Sequence, residues 1–210
     1  MRAFFLWLSE SRRWRAFAER SAVGQRLSHR FVAGESVEEA LAATRAVNDL
    51  GMSVSVDNLG ENVTNPEEAR HSAALYHEML DQIAARKLNA NVSLKLTHMG
   101  LDVDESLAHQ LVCGLVEHAA RIGNFVRVDM EGSPYTERTL QFVHRVHAQP
   151  GNAGVIGAVI QSYLYRSEKD VEVLLAQRIR IRLCKGAYQE PAEIAFQKKS
   201  DVDANYVKLM

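Results

Sequence analysis

A chain of 210 residues, 47% hydrophobic and 24% charged, is long enough to bury one sizeable core and contains no stretch that reads as a linker. Its 25 basic and 26 acidic side chains nearly cancel, which argues against a nucleic-acid-binding surface and against an acidic solvating tail. The two cysteines, Cys113 and Cys184, lack the paired spacing of a disulfide framework or a zinc knuckle, so reduced thiols are expected.

Residues 1–30 predict a helical, arginine-rich arm. Phe4-Phe5-Leu6-Trp7-Leu8 is too short for the apolar region of a signal peptide, and Ser9-Glu10-Ser11-Arg12-Arg13 interrupts it without a cleavage site. Phe4, Leu8, Trp14 and Phe17 instead fall on one side of an amphipathic helix, which either packs on the domain or touches a membrane surface. No run approaches the ~20 apolar residues that a membrane span needs.

Beyond the arm, short β-branched runs recur at residues 30–33, 52–57, 92–97, 125–130, 155–161 and 179–184. Between them lie helices with legible ends. Ser36-Val37-Glu38-Glu39 reads as a capping box, ahead of Val37, Leu41, Thr44 and Val47 at helical spacing, with Gly51 as the stop. Asn65-Pro66-Glu67-Glu68 supplies a cap, an early proline and first-turn acids. Asp104 opens the next helix, closed by Gly123, and Thr136, Ser167 and Ser200 open three more. Alternating strands and helices predict a parallel sheet, either doubly wound or closed as a barrel. The central strands of a doubly wound sheet are apolar on both faces, because helices cover both. In this sequence Val92, Leu94 and Leu96 alternate with Ser93, Lys95 and Thr97, and Val126, Val128 and Met130 alternate with Arg127 and Asp129. Ile179, Ile181 and Leu183 likewise alternate with Arg180, Arg182 and Cys184. One apolar face and one polar face, the latter richest toward the strand ends, predict a barrel with a reactive mouth.

Lys95, Asp129, Gln161 and Arg182 are the candidate mouth residues on the third to sixth expected strands. Charges buried at one mouth need partners or a ligand, so either a salt-bridge network or a functional site is expected. No dinucleotide fingerprint or P-loop is present, while Lys185-Gly186-Ala187 after the last strand could admit an anion to the backbone. His144 and His147 sit three apart on a helix without an acid at ligand spacing, so solvated histidines rather than metal ligands are expected.

Taken in order, Ser55-Val56-Asp57-Asn58-Leu59-Gly60-Glu61, Ser93-Leu94-Lys95-Leu96-Thr97, Val126-Arg127-Val128-Asp129-Met130-Glu131, Val159-Ile160-Gln161-Ser162-Tyr163 and Arg182-Leu183-Cys184-Lys185-Gly186-Ala187-Tyr188 resemble the successive strand-end motifs of the proline dehydrogenase family, in its bacterial monofunctional form. The resemblance implies a distorted (βα)8 barrel over residues 1–210. It also implies FAD at the mouth, oxidation of L-proline to Δ1-pyrroline-5-carboxylate, and a membrane quinone as electron acceptor. It implies a cytoplasmic enzyme with a peripheral contact at the inner face of the membrane. Carried over residue by residue, Asp129 and Arg182 are the catalytic pair, and Lys95, its ion-pair partner Glu61, and Tyr188 bind substrate. Met130, Gln161, Arg182, Lys185, Gly186 and Ala187 line the flavin.

The sequence departs from the family pattern at its end. About six βα units are readable where eight close a barrel, and the family's threonine-histidine turn and terminal helix with a tyrosine and paired arginines have no counterpart. The expectation is therefore a fragment of a longer reading frame, poorly soluble and inactive alone. Two alternatives stay open: a flavin-free lyase or aldolase using Lys95 as a Schiff base, and an inactive barrel fragment acting only in binding.

Overall fold

The computed structural model describes residues 32–60 and 62–210. It divides into two compact units, residues 1–51 and 52–210. The described part of the first unit, residues 32–51, holds helix α1 (Val37–Asn48), which buries Leu41 and Thr44. Ser36 caps it as expected, its hydroxyl accepting from Glu39 N at 3.3 Å.

Of the strand expected at residues 30–33, only residues 32 and 33 are described, and they carry none; Arg30 and Phe31 lie outside the described residues. The reason is local. Glu39 Oε2 accepts from Glu35 N at 2.8 Å, and a Cβ on Gly34 would stand 2.3 Å from the Glu39 Cβ. The segment folds back over the first turn of α1 rather than extending.

The second unit alternates strand and helix throughout: β1 (Val54–Asp57), α2 (Pro66–Ala85), β2 (Ala90–Leu94), α3 (Glu105–Arg121), β3 (Val126–Val128), α4 (Ser133–His147), β4 (Ile156–Gln161), α5 (Ser167–Ala176), β5 (Arg180–Cys184) and α6 (Lys199–Leu209). All five strands are parallel, and each pairs with its neighbour in sequence, giving the order β1-β2-β3-β4-β5. A doubly wound sheet reverses direction at a switch point; this one advances in a single direction, as a barrel wall does. The architecture is that of an α/β barrel, with five strands among the described residues where six were expected from sequence.

Asn65 and Asp104 cap α2 and α3 through their side chains, as the sequence predicts. Three expected helix starts shift. Thr136 does not open α4; the helix begins at Ser133, and the Thr136 side chain is buried one turn in. Pro134 near the N-terminus is the signal that sets this start, because its fixed φ suits a first turn. Ser167 is the first residue of α5 rather than its cap, and its hydroxyl donates back to Leu164 O at 2.7 Å. The last helix likewise starts at Lys199, one residue before the expected Ser200.

Packing follows the strand faces. Val92, Leu94, Val126 and Val128 are fully buried, and helices α2, α3 and α4 pack along β2, β3 and β4. The opposite face carries a polar interior. Arg127 donates to Ser55 Oγ at 3.3 Å, and its guanidinium lies 5.1 Å from the Phe125 ring centre, with Arg180 4.9 Å from the same ring. Burial, with the nearby Arg182 charge second, pulls Arg127 below its ordinary range. At Gly157 a Cβ would meet Arg180 O at 2.4 Å and the Phe125 ring at 2.7 Å, so β4 and β5 can approach there only because that position carries no side chain.

Candidate active site

The polar residues collect where the strands end. Asp57 is the last residue of β1, Lys95 follows β2 by one position, Asp129 follows β3 by one, Gln161 ends β4, and Arg182 lies within β5. Sequence reading extended the strands through Lys95 and Asp129; in the structure both sit just past the paired backbone, on the turns that leave it.

Two charge pairs organise this end. Lys95 Nζ lies 3.0 Å from Asp57 Oδ2, with the side chains 14% and 25% exposed. The other oxygen of Asp57 accepts from the Tyr76 hydroxyl at 2.9 Å, and that hydroxyl accepts from Asn58 N at 3.2 Å. Tyr76 is fully buried, and burial followed by the Asp57 charge pushes its hydroxyl far above the ordinary phenol range. Tyr76 therefore stays protonated and donates to Asp57. Arg182 Nη2 meets Asp129 Oδ1 at 2.5 Å, and Ser93 Oγ donates to the same carboxylate oxygen. Asp57 and Ser93 are register partners, so the polar path runs from β1 across β2 and β3 to β5.

Around these pairs the turns are stitched together. Glu131 is buried and accepts from Thr97 N at 3.2 Å and Thr97 Oγ1 at 2.6 Å, holding the β3 exit against the β2 exit. Gln161 is 3% exposed, and its amide nitrogen donates to Met130 O at 3.2 Å and Glu131 O at 2.9 Å. Its side-chain oxygen is buried without a hydrogen-bond partner. An orphaned buried acceptor costs about 1–3 kcal/mol, so this atom is set up for a donor that the described residues do not supply. Cys184, at the end of β5, has its thiol pushed up by burial, which disfavours a thiolate nucleophile.

Lys185, Gly186, Ala187 and Tyr188 form the irregular segment after β5. Lys185 Nζ is 2.6 Å from Asp203 of α6 and 5.7 Å from the Tyr206 ring centre, so its charge already has a partner. Gly186 has φ +111°, and a Cβ there would meet the Tyr163 ring at 2.5 Å; packing alone demands glycine. Tyr188 is 37% exposed and passes beside Gly132. Glu61 lies outside the described residues. Among the described residues no group of three or more His, Cys, Asp or Glu side chains could hold a metal ion.

The structure thus brings together Asp129 with Arg182, and Met130 with Gln161, and gives Lys95 the neighbour Asp57. Sequence reading named Glu61, which lies outside the described residues, as the partner of Lys95, and did not single out Asp57 of the same motif. Its signal was available: Asp57 alternates with Ser55 on the polar face, at the strand end where mouth residues belong.

A family model described as proline dehydrogenase matches residues 40–210. "Proline dehydrogenase 2" of Bacillus subtilis (strain 168) is 35% identical over 213 residues, covering 100% of this chain and 68% of that protein. "Proline dehydrogenase" of Deinococcus radiodurans is 36% identical over 187 residues, covering 88% of this chain and 60% of its own length. Among solved structures, proline utilization A (PutA) from Bdellovibrio bacteriovorus, inactivated by N-propargylglycine, superposes with a TM-score of 0.81 at 25% identity. That match covers 89% of this chain and 24% of the PutA chain, so the sequence spans roughly a quarter of that longer protein.

Proposed function

Because the chain belongs to the proline dehydrogenase family, we propose that it oxidises L-proline to Δ1-pyrroline-5-carboxylate, with FAD as cofactor and a membrane quinone as electron acceptor. Beyond the family, the observation that supports this reading is the strand-end group of Arg182, Asp129 and the unpartnered Gln161 oxygen. The residues present suit a flavin. Gln161 offers a buried acceptor to a ring N–H, Met130 lies beside it, and Arg182 offers a fixed cation that is 37% exposed at the mouth. Lys185, Gly186 and Ala187 would line the same cofactor, with Lys185 shared between it and Asp203.

Bound FAD supplies a two-electron acceptor for the hydride that leaves the ring carbon next to the proline nitrogen. The chain's own residues then have distinct tasks. Arg182 stabilises negative charge developing at the acceptor, an electrostatic effect strongest where the cation is held in advance. Asp129 and Ser93 do that holding, through the ion pair and the hydroxyl hydrogen bond. Lys95, fixed by Asp57, provides a cation for the substrate carboxylate side; Glu61 is assigned the balancing anion and Tyr188 a place at the substrate pocket. The ring nitrogen of proline must also give up a proton, which water at the partly exposed mouth would take, and a mouth with paired charges accepts the zwitterion without a net charge penalty. Delivery to a quinone requires the protein to meet a membrane surface from the cytoplasmic side, for which the apolar positions Phe4, Leu8, Trp14 and Phe17 are suited.

Protein expressed from its full reading frame should be yellow, show the absorption of bound flavin, bleach on anaerobic addition of L-proline, and recover colour with a soluble quinone. A colourless protein, or bound flavin that proline leaves oxidised, would refute the reading. Borohydride trapping of a substrate imine on Lys95 would instead establish lyase chemistry. The Lys95–Asp57 ion pair already weighs against that outcome, since it stabilises the charged ammonium rather than a nucleophilic amine.

A further inference from the structure

We propose that Glu190 is a positioning residue for the active site, clamping the segment after β5 onto the ends of β3 and β4. The inference rests on the functional reading above.

The observations start at α4, which has no side-chain cap of its own: its N-cap is Gly132. The carboxylate that serves it comes from 57 residues away. Glu190 Oε1 accepts from Ser133 N at 2.7 Å, and Glu190 Oε2 accepts from Ser133 Oγ at 2.5 Å. A negative group at a helix N-terminus is favoured by the unsatisfied N–H groups and the aligned dipole there. The Tyr163 hydroxyl also donates to Glu190 Oε1, at 3.4 Å. Its proton is secure, because burial and then the Glu190 charge push the phenol above its ordinary range.

One side chain therefore ties three strand exits together. Ser133 follows β3, Tyr163 follows β4, and Glu190 belongs to the segment leaving β5. Each exit carries residues assigned to cofactor or substrate: Met130 two positions before Gly132, Gln161 two before Tyr163, and Lys185 to Tyr188 just ahead of Glu190. The segment's own anchors lie on either side. Lys185 O accepts from Tyr163 N at 3.0 Å, and Ile194 O accepts from Tyr165 N at 3.0 Å. Residues 185–189 between strand and clamp are exposed and outside regular structure, so the clamp at Glu190 adds to the contacts that place them. Nothing in this arrangement requires Glu190 to touch substrate or flavin; its effect passes through Gly186, Ala187 and Tyr188.

The test compares Glu190→Ala, Glu190→Gln and Ser133→Ala in protein from the full reading frame. Glutamine keeps one oxygen for Ser133 N–H, and Ser133→Ala removes one arm while leaving the helix intact, so both keep the test decisive if Glu190→Ala fails to fold. The KM for L-proline and the FAD dissociation constant should rise by about tenfold to a hundredfold in Glu190→Ala, the range that a displacement of about 1 Å in a positioning group produces. Both rises should be smaller in Glu190→Gln, kcat should change less, and the visible circular dichroism of the bound flavin should alter. Hydrogen exchange at residues 185–190 of the FAD-free protein should accelerate in the same order. Variants that only melt earlier, with wild-type KM, flavin spectrum and exchange, would reduce Glu190 to a helix cap and overturn the proposal. Wild-type protein that neither holds FAD nor oxidises proline would sink the functional reading instead, and the exchange measurement would still decide the clamp.

Discussion

Replacing Tyr76 with phenylalanine removes one oxygen atom and leaves the ring, so the fully buried side chain creates almost no cavity. Two hydrogen bonds go with that oxygen. The bond to Asp57 Oδ1, at 2.9 Å, has an ionised acceptor and is worth about 1.5–3 kcal/mol; the bond from Asn58 N, at 3.2 Å, is neutral and worth about 0.5–1.5 kcal/mol. Asn58 is only partly buried, so water can replace the hydroxyl there and much of the second contribution returns. A loss of about 2–3 kcal/mol follows, which lowers the melting temperature of a chain of this size by about 4–12 °C. The measurement is urea unfolding of the FAD-free protein, so that cofactor binding does not mask the change. The midpoint should fall with an unchanged m-value. A double-mutant cycle with Asp57→Asn should give a coupling of about 1 kcal/mol or more. Unfolding of Tyr76→Phe within about 0.5 kcal/mol of wild type, or additivity with Asp57→Asn, would show that the hydroxyl does not hold Asp57 in place.

Arg182→Met should lower turnover by about a hundredfold or more and lower the flavin reduction potential, and steady-state rates with wild-type potential would remove Arg182 from the mechanism. Lys95→Ala should raise the KM for proline, whereas Asp129→Ala should chiefly reduce kcat by releasing Arg182; kinetics unchanged in both, with only stability lost, would make the ion pairs purely structural. A pH effect is expected away from the site. His77 Nδ1 lies 2.8 Å from His118 Nδ1, and His118 Nε2 lies 2.8 Å from Asp81 Oδ1. Burial first, then His118 and more weakly Arg121, hold His77 below its ordinary value against the opposing pull of Asp81. The unfolded chain therefore takes up this proton more readily, so stability is full above about pH 6.5 and declines as pH falls below it. Melting temperatures recorded from about pH 7.5 to 5.5 should show that decline, and His77→Gln should flatten it; identical slopes in the two proteins would refute the assignment.

The barrel was legible because its evidence is periodic. Alternation along residues 92–97 and 125–130 separates one helix-facing side from one interior side, and no other parallel architecture needs that. Side-chain caps at Ser36, Asn65 and Asp104 were legible for a similar reason, since their signals are local. What escaped reading was side-chain contact, near or far along the chain. Residues 32–34 carry no strand where Gly34 and Glu35 meet Glu39, a contact that periodicity does not encode. Thr136 looked like a cap because threonine often is one, while the true start at Ser133 borrows its acceptor from Glu190. Tyr76 could be read as a buried helix position, but its hydroxyl has meaning only once α2 lies against the end of β1. Charged mouth residues were visible by type and strand position, yet their pairing into Lys95–Asp57 and Arg182–Asp129 belongs to the folded wall.

The strand order has a consequence for how such a protein is made. Val54 pairs with Ala90, Val92 with Val126, Val126 with Ile156, and Gly157 with Arg180, so each strand meets the one synthesised just before it. Among the five described strands, none must wait for a distant partner or be inserted between two already paired. Loop-closure entropy is then spent in small, similar instalments, and each helix can cover its strand pair as it leaves the ribosome. Folding can proceed as a zipper from β1 toward β5, with one growing edge at a time exposed to the wrong neighbour.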